Sequence, residues 1–145
     1  MNQVMHDEQV DTYDALLDRA RYYMKLQEGC GEPSFRLRLK ALFPLLGIHS
    51  AAQFNKVVDG EVADDYYLMP DKKTKAHDRP SRRTLKKICL ACRVPMLITL
   101  ELFQLAGCSL NRADFDDRAF LAVISSRPWC NLATKLKLIE DLKAL

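Results

Sequence analysis

Apolar residues along this chain recur at three- and four-residue spacing, the period of a helix face, and alternating β-branched runs are absent. The clearest stretch is 79–107, RPSRRTLKKICLACRVPMLITLELFQLAG, which reads as two consecutive helices. Ser81 is a preferred cap, and Pro80 biases the residue before it away from helix. Leu85, Ile88, Cys89 and Cys92 then share one face, with Arg82, Arg83, Lys86 and Lys87 outside it. Val94-Pro95 interrupts, Pro95 suits the first turn of a second helix, and Gly107 suits its left-handed close. Met96, Leu97, Leu100, Phe103 and Leu105 make the second helix apolar over much of its circumference. The pair is expected to present a basic surface on a buried support.

The same pattern predicts helices on either side. Residues 9–26 carry an apolar face of Leu16, Leu17, Ala20, Tyr23 and Met24, ended by Gly29-Cys30-Gly31 and Pro33. Ser34 caps a helix to 46 whose stripe is Phe35, Leu39, Leu42, Phe43 and Leu46, with Arg36, Arg38 and Lys40 outside. Pro44 kinks or shortens its end, and Gly47 permits a tight exit. Ser50 opens a short helix with Ala52, Phe54, Val57 and Val58 as its apolar positions, closed by the turn signal Asp59-Gly60. A further short helix over 62–69 stops at Pro70, and the polar stretch MPDKKTKAHDRPS follows as a loop. Beyond Gly107, Asp114 caps a helix with Phe115, Ala119, Phe120, Val123 and Ile124 inward, and SSRPW breaks it. The last helix, 131–144, aligns Leu132, Leu136, Ile139 and Leu142, with Lys135, Lys137 and Lys143 outside. The sum is an all-α chain of seven or eight short helices, with no internal repeat.

Charge changes this picture at one place. Residues 71–93 hold nine Lys/Arg against two acids, a balance of +7 in a chain whose total is +3, which leaves −4 for the rest. Such asymmetry points to a polyanionic partner, nucleic acid first. The plainer reading is a solvated loop and an exposed helix face.

Composition excludes several classes. No apolar run nears the ~20 residues that cross a bilayer. The acidic start MNQVMHDEQVDTYD is unlike a secretory signal, so a cytoplasmic location without membrane partners is expected. Five irregularly spaced cysteines are no disulfide framework. Cys89-Leu-Ala-Cys92 has half-zinc-site spacing, but both cysteines fall on the apolar stripe, and His49, His77, Cys108 and Cys130 supply no second pair. No metal, cofactor or catalytic residue is assigned. Without a phosphate-binding glycine loop, a nucleophile elbow or a His-rich motif, the chain does not read as an enzyme.

The order of elements, with Leu-Gly-Ile, then Ser50, then Arg-Pro-Ser leading into TLKKIC and LFQLAG, resembles the lambda-repressor-like helix-turn-helix family of bacterial and phage regulators. The likeness spans roughly residues 35–107 and is best over 80–107. It implies a five-helix core at 32–108, flanked by an N-terminal accessory helix within 1–31 and a C-terminal helical extension over 109–145. It also implies DNA binding in transcriptional control, repressor-like. The family's usual motif Gln corresponds to Ala51, its small residue to Asn55, and its turn glycine is displaced to Asp59-Gly60. The recognition helix would read VADDYYLM, and phosphates repel Asp64 and Asp65.

Two roles follow as expectations. In the first, Lys72, Lys73, Lys75, Arg79, Arg82 and Arg83 grip the DNA backbone while Tyr66 and Tyr67 approach a phosphate or a thymine methyl. Against this, tyrosines at that spacing commonly pack into a core. In the second, a degenerate helix-turn-helix acts through protein–protein contact instead of sequence-specific DNA binding. The C-terminal leucine stripe is a candidate homodimer surface for either role, or else it covers the chain's own core.

Overall fold

The computed structural model describes residues 12–28, 34–68, 79–126 and 130–145, and there the chain is all-helical. Eight helices are described: α1 (Tyr13–Gln27), α2 (Phe35–Leu45), α3 (Ala51–Val58), α4 (Asp65–Leu68), α5 (Arg82–Ala91), α6 (Met96–Leu105), α7 (Phe115–Ser126) and α8 (Leu132–Lys143). The predicted joint at 29–33, most of the polar loop, and the break at 127–129 lie outside the described residues.

Side-chain caps start these helices, most of them where the sequence places them, though α1 begins at a Thr12 cap and not at the expected residue 9. Thr12, Ser34, Ser50, Ser81 and Asn131 each accept a hydrogen bond from a first-turn backbone N–H. Asp114 does the same for Asp116 N at 2.9 Å. Each such cap is worth about 1 kcal/mol against alanine. Pro95 is the cap residue of α6 itself, one position earlier than expected, and contributes no side-chain bond.

The ends repeat one device. At the close of α2, Ile48 N donates to Phe43 O and Gly47 N to Pro44 O, with Gly47 at φ 82°. At the close of α6, Cys108 N donates to Phe103 O and Gly107 N to Gln104 O, with Gly107 at φ 74°. This double bond pattern needs a left-handed residue, for which glycine has no steric penalty. α5 ends the same way, but there the left-handed residue is Arg93, at φ 57°. Pro44 sits in the last turn of α2 without ending it early.

One hydrophobic cluster runs through the described elements. Leu26 of α1, Phe35, Leu39, Leu42 and Phe43 of α2, Phe54 of α3, Leu85 and Ile88 of α5, Leu102 and Phe103 of α6, Phe120 of α7 and Leu132 of α8 are all buried in it. Burying a side chain of this size contributes roughly 1.5–3 kcal/mol. α2 packs on α6, α3 on α5, and α8 on both α5 and α7. The leucine stripe of α8 is spent inside the molecule: Leu132 and Ile139 are buried, while Leu136 and Leu142 pack against the same cluster.

α1 is held differently. Leu26 and Tyr23 near its end reach the core, while Leu16 and Met24, expected on its inner face, are 48% and 68% exposed. The stripe exists on the helix, but the described residues do not cover most of it.

Three cations placed outside by the periodicity are buried instead. Arg38 has no exposed surface: its guanidinium donates to Glu101 Oε1 at 2.7 Å, to Glu28 O at 2.8 Å and to Leu26 O. Lys135 donates to Leu90 O at 2.8 Å, and Lys86 is engaged by two aspartates. Each sits at helical spacing from buried apolar residues, so its aliphatic stem joins the stripe while its charge finds a partner. The second helix of the central pair departs from expectation in the opposite sense. Leu97 and Leu100 of α6 are 67% and 42% exposed, so α6 is not wholly a buried support.

Candidate nucleic-acid interface

The first turn of α5 gathers the described part of the basic cluster. Ser81 accepts from Thr84 N at 3.1 Å and fixes the start of the helix. Arg79 and Arg83 are exposed there. Arg82 is half exposed and lies 3.7 Å from Asp117. Lys72, Lys73 and Lys75 lie outside the described residues.

Further along α5 the basic face turns inward. Lys86 Nζ donates to Asp117 Oδ1 at 2.5 Å and to Asp116 Oδ2 at 2.7 Å, and stands 5.6 Å above the Phe120 ring. Asp117 is fully buried and also accepts from Asn111 N at 2.8 Å. Asp116 takes a second cation, Lys143, at 3.1 Å. Lys87 donates to Glu61 at 2.8 Å. These groups form a charged seam where α5, α7 and α8 meet, around a cleft of about 670 Å³.

The electrostatics follow the geometry. Burial pushes the Asp117 carboxyl up, but the Asn111 N–H, Lys86 and Arg82 outweigh it, so its pKa lies below the ordinary value. The Lys86 hydrogen bond, with help from Lys143, lowers Asp116 against a smaller burial effect. The Lys87 hydrogen bond lowers Glu61. The carboxylates of the seam therefore stay ionised and keep their cations occupied.

The two tyrosines have separate settings. Tyr67 lies against Phe43 and Phe54, with ring centroids 5.1 Å and 6.0 Å away, as a residue packing against the core would. Tyr66 is half-buried, and burial together with Asp65 raises its phenol pKa. The helix carrying them is a single turn of four residues, shorter than the predicted 62–69, with Asp64 immediately before it. At the start of α3, Gln53 accepts from His49 N at 2.6 Å, which ties that amide to its own helix.

Cys89 and Cys92 are both buried, and burial raises both thiols, Cys92 to about 12. Such thiols are protonated, apolar packing groups at neutral pH. Among the described residues no three His, Cys, Asp or Glu side chains gather as a metal site would require. No helix among them is long and apolar enough to cross a membrane.

Sequence reasoning missed one feature on the other side of α7. Between α6 and α7 lies an open groove of about 640 Å³, lined mainly by apolar side chains including Met96, Leu100, Phe103, Leu110 and Leu121. The signal was present in the nearly uncharged α6, whose apolar residues exceed what one buried face can use.

Compared with family models, curated proteins and solved structures, the chain shows no match.

Proposed function

We propose that this chain is a DNA-binding regulator of the lambda-repressor-like helix-turn-helix kind, which holds the duplex by its backbone. Arg79, Arg83 and the loop lysines Lys72, Lys73 and Lys75 are the gripping groups, with Arg82 beside them. The observation that carries the reading is the exposure of Arg79 and Arg83 around the first turn of α5. That end of a helix carries the positive pole of its dipole, which favours phosphate. Lys86 and Lys87 are excluded from the grip, because acids already hold them. A one-turn α4 beginning with aspartate offers little to base edges, so the binding is of low sequence preference.

The test is fluorescence anisotropy of a mixed-sequence duplex across a salt series. Affinity should fall linearly on a log–log plot, and each phosphate-contacting cation replaced by alanine should flatten the slope by about 0.9. The combined Lys72/Lys73/Lys75/Arg79→Ala change should abolish most binding. Failure to bind at low salt would sink this function.

A second reading is favoured by α4 itself. Asp64 and Asp65, at the place of a recognition helix, suit a basic protein surface better than DNA. A chain that ignores duplex DNA but retains a partner in pull-down, and loses it on Asp64→Lys, would establish this alternative.

A further inference from the structure

The groove between α6 and α7 differs from every other depression described on the molecule in its charge. Among the described residues its lining is largely aliphatic and aromatic, with a few uncharged polar groups and a single ionised side chain, Arg112. Arg112 is exposed, and its guanidinium makes no ion pair among the described residues. Of the cations around the seam, Arg82, Lys86, Lys87 and Lys143 are by contrast held by aspartate or glutamate. The groove's volume of about 640 Å³ falls in the range of small-molecule sites. Leu100 contributes to the lining while 42% of it remains in water, so the apolar surface there is unfinished.

These facts define the chemistry of an occupant. An apolar body would cover Met96, Leu100, Phe103, Leu110 and Leu121. One anionic head would meet Arg112, whose planar fork matches a carboxylate with two parallel hydrogen bonds. A polyphosphate is disfavoured, since one cation cannot balance it and the remaining walls are mostly apolar. A cationic amphiphile would place its charge against the guanidinium.

We propose that the groove binds a single-chain carboxylic acid, its hydrocarbon along α6 and α7 and its carboxylate on Arg112. The site is separate from the first turn of α5 and does not depend on DNA binding.

Isothermal titration of the full chain with dodecanoate, below its micellar concentration, tests this. One saturable site per chain is expected, with decanoate about tenfold weaker, since each buried methylene contributes up to about fourfold. Dodecylamine should bind at least tenfold more weakly than dodecanoate, and Arg112→Ala should weaken dodecanoate by about tenfold or more, as loss of a charge-assisted pair requires. Leu100→Trp should fill the groove and abolish binding. Equal affinity for acid and amine, the absence of a saturable site, or indifference to Leu100→Trp in a folded variant would each overturn the proposal. Sedimentation decides the other occupant: a dimer that Leu100→Trp dissociates, together with no dodecanoate binding, would assign the groove to a second copy. The amine comparison and Arg112→Ala leave the core untouched, so the test stands even where Leu100→Trp fails to fold.

Discussion

α7 has a charged side and an apolar side. Toward α5 and α8 it meets the seam, where Lys86, Asp116, Asp117 and Lys143 bind one another over the Phe120 ring. Toward α6 it meets the groove, with Phe103 and Leu121 in the wall. The two depressions are of similar volume, and the Phe103 and Phe120 rings that serve them lie 5.7 Å apart. They differ in whether the chain completes its own chemistry. In the seam Arg82, Lys86, Lys87 and Lys143 each have an acid, so most of its charge is met within the chain. In the groove one cation and several apolar side chains have no counterpart among the described residues. A count of charges along the sequence ranks the seam first, whereas a count of unmet groups ranks the groove first.

The largest expected effect that separates the two regions is on stability. Replacing Asp117 by alanine leaves Lys86 with Asp116 alone and the Asn111 N–H without its acceptor, and should cost about 3 kcal/mol, read as a lower denaturant midpoint. A smaller effect comes with pH. Asp116 and Asp117 have depressed folded-state pKa values, so their contribution is complete above the ordinary carboxylate pKa of about 4. It should be lost as pH falls through that value toward the folded ones, and Asp117→Asn should flatten this acid limb of a stability–pH curve. Lys87→Ala, which breaks only the partly exposed pair with Glu61, should cost much less than Asp117→Ala. Leu100→Gln in the groove should change stability least, within about 0.5 kcal/mol. A loss there comparable to that of Asp117→Ala would show the groove to be part of the core and erase the contrast.

How far the sequence revealed this depends on the kind of residue. Helix starts were legible because Ser34, Ser50, Ser81 and Asn131 act locally through their own oxygens. Stripes such as Phe35–Leu39–Leu42 were legible because burial follows the helix period. Arg38 was not, although it lies three residues after Phe35 and four before Leu42, because its formal charge hid its place on the stripe. Lys135, between Leu132 and Ile139, was missed for the same reason. Lys86 required knowledge of where α7 would bring Asp116 and Asp117, thirty and thirty-one positions away. Of the proposed grip, Arg79 and Arg83 were rightly read as exposed, but no period in the sequence marks which neighbouring cations are already engaged. The open face of α1 was hidden too, because amphipathicity shows that a face exists but not what covers it.

Arg38 has a consequence for how the first helix is held. Its guanidinium meets the last carbonyls of α1 on one side and Glu101 of α6 on the other. The cation at the negative pole of α1 is thus supplied from α2, and the counter-ion of that cation from α6. The docking of the end of α1 therefore draws on groups from both α2 and α6. A chain beginning at residue 32 would lose Leu26 from its apolar core and leave a buried guanidinium short of two acceptors. The first helix is therefore a brace on the domain behind it with much of its face in water, and its amide hydrogens should be among the first to exchange while the domain is still intact.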